Sequence, residues 1–268
     1  MNELLKSVEH EGTSGSSGVQ RASEGWRDRQ REERGRNRMA GILYGVGVGP
    51  GDPELMTLKA VRIIRENDII ALPGAEPKET VAYRIASAAV PELCEKQLIP
   101  LYMPMTHDKE EQQRHHREGA ARVEEYLSQG KNVVFLTLGD VTVYSTFTYI
   151  QQLVEADGYE IRLVSGVPSF CAAAARVNQP LGIWKEQIHI YPAVHNLTEI
   201  LPPDGTCVLM KSGSRMKQVK ELIRRSGRDA VMVENCGTEN EKVYLHVEEI
   251  PDTAGYYSLI IAREMERE

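Results

Sequence analysis

The chain has 268 residues, 41% hydrophobic and 26% charged, with a formal net charge of −7. That suits one large or two modest globular domains and argues against a general nucleic-acid binder, which needs a dense basic face. No apolar run approaches the roughly 20 residues that cross a bilayer and the N-terminal stretch lacks a secretory h-region, so neither nucleic acid nor membrane is an expected partner. The four cysteines, Cys94, Cys171, Cys207 and Cys236, form no C-x-x-C pair. Their spacing fits a reduced, cytoplasmic setting and argues against a disulfide frame or a cysteine zinc site.

Residues 1–38 differ from the rest. They contain TSGSSG (Thr13 to Gly18) and WRDRQREERGRNR (Trp26 to Arg38), with eight Lys/Arg against seven Asp/Glu. So few apolar residues cannot bury a core, and the segment is expected to be a disordered extension. Two domains follow, at 39–166 and 167–268. From Ile42, strand and helix alternate. ILYGVGV is a strand ending in Gly49-Pro50-Gly51-Asp52-Pro53, followed by a helical pattern at Leu55, Leu58, Val61 and Ile64. Further strands are expected at Asp68–Leu72, Gln97–Leu101, Asn132–Leu138 and Glu160–Val164. Helices are expected at Lys78–Val90, Asp108–Gln129 and Tyr144–Glu155. This alternation predicts an α/β domain with a largely parallel sheet. After Ser165-Gly166-Val167-Pro168 comes an alanine-rich helix, Ser169–Val177. Closely spaced strands then follow at Gln187–Tyr191, Thr206–Met210, Ala230–Glu234, Val243–Val247 and Tyr257–Ala262, with one long helix, Arg215–Arg225. The close spacing predicts antiparallel pairing in a second, mixed sheet.

Three loops leave strand ends with small residues: Gly49-Pro50-Gly51-Asp52, Leu138-Gly139-Asp140 and Ser165-Gly166-Val167-Pro168-Ser169. Ligands of open parallel sheets bind beyond the carboxyl ends of the strands, so three such loops on one edge point to a ligand cleft. No G-K-[ST] follows the glycines, which excludes a Walker A loop. Gly45, Gly47 and Gly49 have the wrong spacing for the dinucleotide fingerprint.

From Ile42 to Ala262 the sequence resembles the tetrapyrrole methylases of cobalamin and sirohaem synthesis. The resemblance rests on VGVGPGDP (Val46 to Pro53) with ELMTLKA after it, on the Gly139-Asp140 loop, on the Ser165–Ser169 loop with its alanine helix, and on Tyr257-Ser258-Leu259-Ile260-Ile261. Tyr144-Ser145-Thr146-Phe147 resembles the branch that methylates C20 of precorrin-2 or its cobalt form; most other branches carry glycine after the tyrosine. The resemblance implies two α/β domains, usually in a homodimer, with S-adenosylmethionine folded in the cleft between them. The tetrapyrrole would lie over the opening, bringing any cobalt with it.

Carried over by position, the implied cofactor contacts are Leu138, Gly139, Asp140 and Val143, with Ser145 and Thr146 beside them, then Pro168 and Ser169, Met210 and Lys211, Asn235 and Cys236, and Tyr257 and Ser258. The implied substrate contacts are Val48, Gly49, Pro50, Gly51 and Tyr144. Val141 stands where the family usually has proline, and Pro168 where it usually has a small residue.

Methyl transfer from a sulfonium needs an electron-rich carbon held in line with the S–CH₃ bond and little proton chemistry before attack. Asp52 is the candidate for acid–base or substrate contact, against the alternative that it caps the following helix. A polycarboxylate substrate calls for guanidinium or ammonium groups at the cleft mouth, and Lys59, Arg62, Arg84 and Lys211 are candidates. His115 and His116 are expected on a solvent face, and His189 and His195 lack partners at ligand spacing, so no protein-bound metal is expected. Cys171 and Cys207 read as core. The alternatives are methylation at another ring carbon and a protein that holds a tetrapyrrole or nucleotide without turning it over.

Overall fold

The computed structural model describes residues 40–104, 106, 108–192, 201–202 and 204–264. The expected extension at 1–38 and His195 lie outside the described residues.

The first sheet is built from β1 (Ile42–Gly47), β2 (Ile69–Pro73), β3 (Gln97–Leu101), β4 (Val133–Thr137) and β5 (Glu160–Val164), all parallel in the order β3-β2-β4-β1-β5. Successive side chains of a strand point to opposite faces, and the core follows that period. Tyr44, Val46, Ile70, Leu72, Val134 and Leu136 pack on one side under α1 (Leu58–Glu66) and α2 (Val81–Ala89). Leu43, Ile69, Ala71, Val133 and Phe135 pack on the other under α3 (Lys109–Leu127) and α4 (Phe147–Ala156).

The second sheet joins β6 (Ile188–Pro192), β7 (Thr206–Met210), β8 (Arg228–Glu234), β9 (Lys242–Tyr244) and β10 (Ser258–Glu264) in the order β6-β7-β10-β8-β9. Only β6 and β7 pair in parallel; the other pairs are antiparallel, which makes the sheet mixed. α5 (Ser169–Arg176) covers one face through Ala173 and Ala174, and α6 (Met216–Arg225) the other through Met216, Val219 and Ile223.

Several sequence expectations need correction. Helix α4 begins at Phe147 rather than Tyr144, because Tyr144 takes a left-handed φ of 48° that no α-helix accommodates. Helix α2 begins at Val81 rather than Lys78: the hydroxyl of Thr80 caps it by accepting the Tyr83 N–H at 3.2 Å, after a separate 3₁₀ turn at Pro77–Glu79. The strand expected at Val243–Val247 stops at Tyr244. Beyond it the Leu245 and Val247 amides donate to the carboxylates of Glu249 and Asp229 instead of a neighbouring strand. His116 is buried rather than on a solvent face and stacks on Tyr149 at 4.4 Å. It shares its side of α3 with the buried Ala120, Val123 and Leu127. Cys171 is exposed rather than in the core, because α5 turns Ala172, Ala173 and Ala174 inward and leaves Cys171 outward. Cys207 is buried as expected.

Candidate functional site

The connections leaving the parallel neighbours β1 and β4 diverge: β1 leads towards β2 at one side of the sheet and β4 towards β5 at the other. Such a switch point opens a crevice at the carboxyl ends of the strands. Here the loops after β1 and β4 are joined by backbone alone. The Gly49 N–H donates to the Gly139 carbonyl at 3.2 Å, and the Gly139 N–H donates back to Gly49 at 2.8 Å. The loop after β5 closes onto both. A Cβ on Gly47 would lie 2.5 Å from the Gly139 carbonyl oxygen and 2.7 Å from the Gly166 nitrogen, and a Cβ on Gly166 would strike the same oxygen. Glycine stands at these two positions because the three backbones touch.

The buried carboxylate of Asp140 fastens this junction. One oxygen accepts the Thr142 N–H at 2.8 Å and the Thr142 hydroxyl; the other accepts the Gly166 N–H at 2.9 Å. The Thr57 hydroxyl caps α1 by accepting the Ala60 N–H and also donates to the Ser165 carbonyl, tying α1 to the third loop. Ser145 bonds to the Thr137 hydroxyl at 2.9 Å and accepts the Phe147 N–H at 3.1 Å. It thereby fixes the turn that holds Tyr144 in its left-handed conformation, half-exposed at the mouth of the crevice.

The second sheet supplies the facing wall. Lys211 and Asn235, directly after β7 and β8, also have left-handed φ values of 57° and 53°. Among the described residues, three of the five non-glycine residues in this conformation thus border one space, and such strained positions concentrate at functional sites. Tyr256 and Tyr257 are about half-exposed there, with the Lys211 ammonium 5.6 Å from the centre of the Tyr256 ring. Burial, and then Tyr256 beside it, raise the Tyr257 phenol above its usual pKa, and the positive charge of Arg84 opposes them. Burial pushes the Cys236 thiol up to about 11 and the neighbouring Glu241 carboxylate adds to it, so Cys236 is a neutral wall residue near neutral pH, not a nucleophile. The two walls meet where a Cβ on Gly51 would strike the Cys236 carbonyl oxygen and one on Gly237 would lie 2.5 Å from the Asp52 nitrogen.

Between the walls lies a cleft of about 960 Å³. From the first wall it takes Leu138, Gly139, Asp140, Val143, Ser145, Thr146, Pro168 and Ser169; from the second it takes Met210, Lys211, Asn235, Cys236, Tyr257 and Ser258. Every implied cofactor position therefore borders one space. Of the implied substrate positions, Pro50, Gly51 and Tyr144 line the cleft. Val48 and Gly49 lie behind them: Val48 is fully buried and donates its N–H to Thr137, and Gly49 forms the backbone bridge. Asp52 lies outside the lining, and its carboxylate caps the Pro53–Leu55 turn by accepting the Glu54 N–H at 2.8 Å. Among the four basic candidates Arg84 and Lys211 line the cleft, while Lys59 and Arg62 do not.

Apart from Arg84, two parts of the lining carry no ligand signal in the sequence: Pro73, Glu79 and Thr80 ahead of α2, and the Gly237–Asn240 loop. The Pro77-Lys78-Glu79-Thr80 start signal marks the first as a helix end, but nothing in it announces a ligand wall. The cleft has room for a ligand beside the backbone at Gly139. A Cβ on Gly139 would meet only open contact distance, with Ser169 N at 3.9 Å and Val167 O at 4.0 Å, which leaves room beside the backbone. Among the described residues no group of three or more His, Cys, Asp or Glu could hold a metal ion.

Residues 42–251 match the family model for Tetrapyrrole (Corrin/Porphyrin) Methylases. The chain belongs to this family. The methylase is 31% identical to a probable cobalt-precorrin-2 C(20)-methyltransferase of Methanocaldococcus jannaschii over 86% of its own length and 100% of the relative's. It is 30% identical to the cobalt-precorrin-2 C(20)-methyltransferase of Salmonella typhimurium over 84% of its own length and 98% of that protein's. The precorrin-2 C(20)-methyltransferase of a Sinorhizobium species is 26% identical over 82% and 94%. Among solved structures, the methylase shares its fold with cobalt precorrin-4 methyltransferase, CbiF (TM-score 0.65, 22% identity, 83% and 94% of the two chains). It also shares it with a uroporphyrin-III C-methyltransferase of Thermus thermophilus complexed with S-adenosyl homocysteine (TM-score 0.60, 21% identity, 84% and 98%).

Proposed function

We propose that this methylase transfers a methyl group from S-adenosylmethionine to C20 of precorrin-2, with the cobalt-loaded form as its substrate, in cobalamin biosynthesis. The observation that carries the reading is the convergence of all the implied cofactor positions, from five separate chain segments, on one cleft at the switch point of the parallel sheet. The branch rests on Tyr144-Ser145-Thr146-Phe147 and on relatives named for C20. The preference for cobalt rests on the higher identity to the two relatives named for it, 31% and 30%, than to the one named for the metal-free compound, 26%.

The cofactor supplies an electrophilic methyl group; the chain's own work is to position and enclose. The Gly49–Gly139 bridge and the Asp140 latch hold the cofactor wall rigid, while Pro50, Gly51 and Tyr144 form the seat on which a macrocycle would rest above it. Holding two reactants in near-attack geometry contributes about 7–11 kcal/mol, and a rigid backbone junction suits that role better than mobile side chains. Asp52, held as a cap, is assigned no proton transfer. A domain boundary near Gly166, a homodimer and a cytoplasmic setting belong to the same proposal. They are supported by the passage of the chain from one sheet to the other between Val164 and Ser169, by the family resemblance and by the cysteine spacing.

The test incubates the full chain with methyl-labelled S-adenosylmethionine and precorrin-2, with and without cobalt. Label transfer to both, faster with cobalt, is expected. Tight cofactor binding without any transfer would overturn the enzyme reading in favour of a binding protein.

A further inference from the structure

Several arginines of the described chain are engaged by carboxylates. Arg62 and Arg65, which precede Arg84 in the chain, pair with Glu66 and Glu92, and Arg176 beside the Asn235 loop pairs with Glu241. Among the described residues Arg84 is the arginine that lines the cleft itself. It stands in the first turn of α2, exposed in the cleft wall, and among the described residues no carboxylate lies within ion-pair distance of it. Its Nη2 donates to the Glu79 carbonyl oxygen at 2.8 Å. A guanidinium carries five N–H donors in a planar fork, so this bond orients the head and leaves the rest of the fork and the whole charge available.

Position decides what that charge could meet. Arg84 lies on the β2 side of the cleft with Pro73, Glu79 and Thr80. The implied cofactor positions come from the loops after β4, β5, β7 and β8 and from the start of β10. The other cation of the lining, Lys211, follows β7 and lies against the Tyr256 ring. The charge of Arg84 opposes the upward shift that burial and Tyr256 give the Tyr257 phenol on the facing wall. A chain of net charge −7 that must accept a polyanion needs its attraction concentrated locally, and a guanidinium without a carboxylate partner, held by the turn that precedes its helix, provides that.

We infer that Arg84 is the anchor for a peripheral carboxylate of the tetrapyrrole, binding it through the free fork and setting the orientation of the macrocycle over the cofactor. The inference rests on the tetrapyrrole reading above and selects one of its four basic candidates. The test uses the full chain and an octacarboxylate porphyrin as probe, with binding followed by quenching of the porphyrin's fluorescence and S-adenosylhomocysteine binding followed by calorimetry. Arg84→Gln is expected to weaken the porphyrin by about tenfold or more, as for loss of a charged hydrogen bond. Arg84→Lys should fall between, because it keeps the charge and loses the fork. Neither should change the affinity for S-adenosylhomocysteine. Arg62→Gln, which removes the same charge outside the cleft, should bind the porphyrin like the parent.

Porphyrin affinity in Arg84→Gln equal to the parent's, or a parent chain that fails to bind the probe, would overturn the inference. Parallel methyl-transfer assays separate it from the reading beneath it. Arg84-dependent porphyrin binding without methyl transfer keeps the anchor and defeats the methylation reading. Methyl transfer with an unchanged tetrapyrrole KM in Arg84→Gln does the reverse.

Discussion

The two walls of the cleft are held by different means. On the first-sheet side, three loops meet backbone to backbone at Gly47, Gly49, Gly139 and Gly166, with the Asp140 carboxylate as latch. On the second-sheet side, Lys211 and Asn235 turn the chain in left-handed conformations. Side chains hold that wall: Glu241 accepts the Gly237 N–H at 2.8 Å and is itself held by Arg176. The first wall gains rigidity from backbone contact at its glycines, closed by one buried carboxylate, and the second presents side chains to the cleft. Sequence change should therefore be tolerated very unequally across a single site.

The sharpest test of that contrast is Gly166→Ala. The new methyl strikes the Gly139 carbonyl, a backbone atom that cannot rotate away. Stability should fall by about 3 kcal/mol or more, measured by urea unfolding, with loss of methyl transfer. Next is Asp140→Ala, which strips partners from the Gly166 and Thr142 amides. Leaving them unpaired should cost about 2–3 kcal/mol and weaken S-adenosylhomocysteine more than the tetrapyrrole. Unchanged cofactor affinity by calorimetry would mean that the junction does not shape the site.

On the opposite wall, Lys211→Gly relieves a left-handed lysine, worth about 1 kcal/mol, and loses a contact with the Tyr256 ring of similar size. Unfolding free energy should stay within about 1 kcal/mol of the parent; a loss matching that of Gly166→Ala would erase the contrast.

The smallest effect is expected at Glu124 on α3, outside the lining of the cleft. Burial, and then the nearby Asp157, raise its pKa above the usual 4.5. The folded state thus holds the proton more tightly than the unfolded state, and stability falls as pH rises from 4.5 through the raised value. Glu124→Gln should melt slightly higher than the parent at pH 7, with the difference fading below pH 4.5, and leave cofactor affinity unchanged. A stability gap that did not vary with pH would contradict this assignment.

The first sheet was legible because its signals are local. Apolar runs such as Val133–Leu136 end in Gly-Asp or Gly-Pro, and polar caps such as Thr57 and Thr80 start the helices. The positions that the family resemblance implies for the cofactor converge on one cleft because they sit directly at strand ends, where a short motif and a place in space coincide. What escaped the reading depends on residues distant in sequence. Asp140 meets Gly166 across 26 residues, Gly51 meets Cys236 across the molecule, and α2 becomes a wall only once β2 lies beside β4. The helical pattern near Tyr144 misled for a related reason: Ser145, fastened to Thr137, imposes a turn that local propensity does not contain. The burial of His116 and the exposure of Cys171 depend on helix register against a partner face, which a helix alone does not define.

The work proposed for the two walls together is to place one ring carbon, C20, against the transferred methyl group. The most direct measurement supplies ¹³C-methyl S-adenosylmethionine with the cobalt-loaded tetrapyrrole and assigns the labelled carbon in the product by NMR. The account predicts a single new methyl at C20, formed faster than with the metal-free tetrapyrrole. A methyl on any other ring carbon, or none despite bound cofactor, would contradict it.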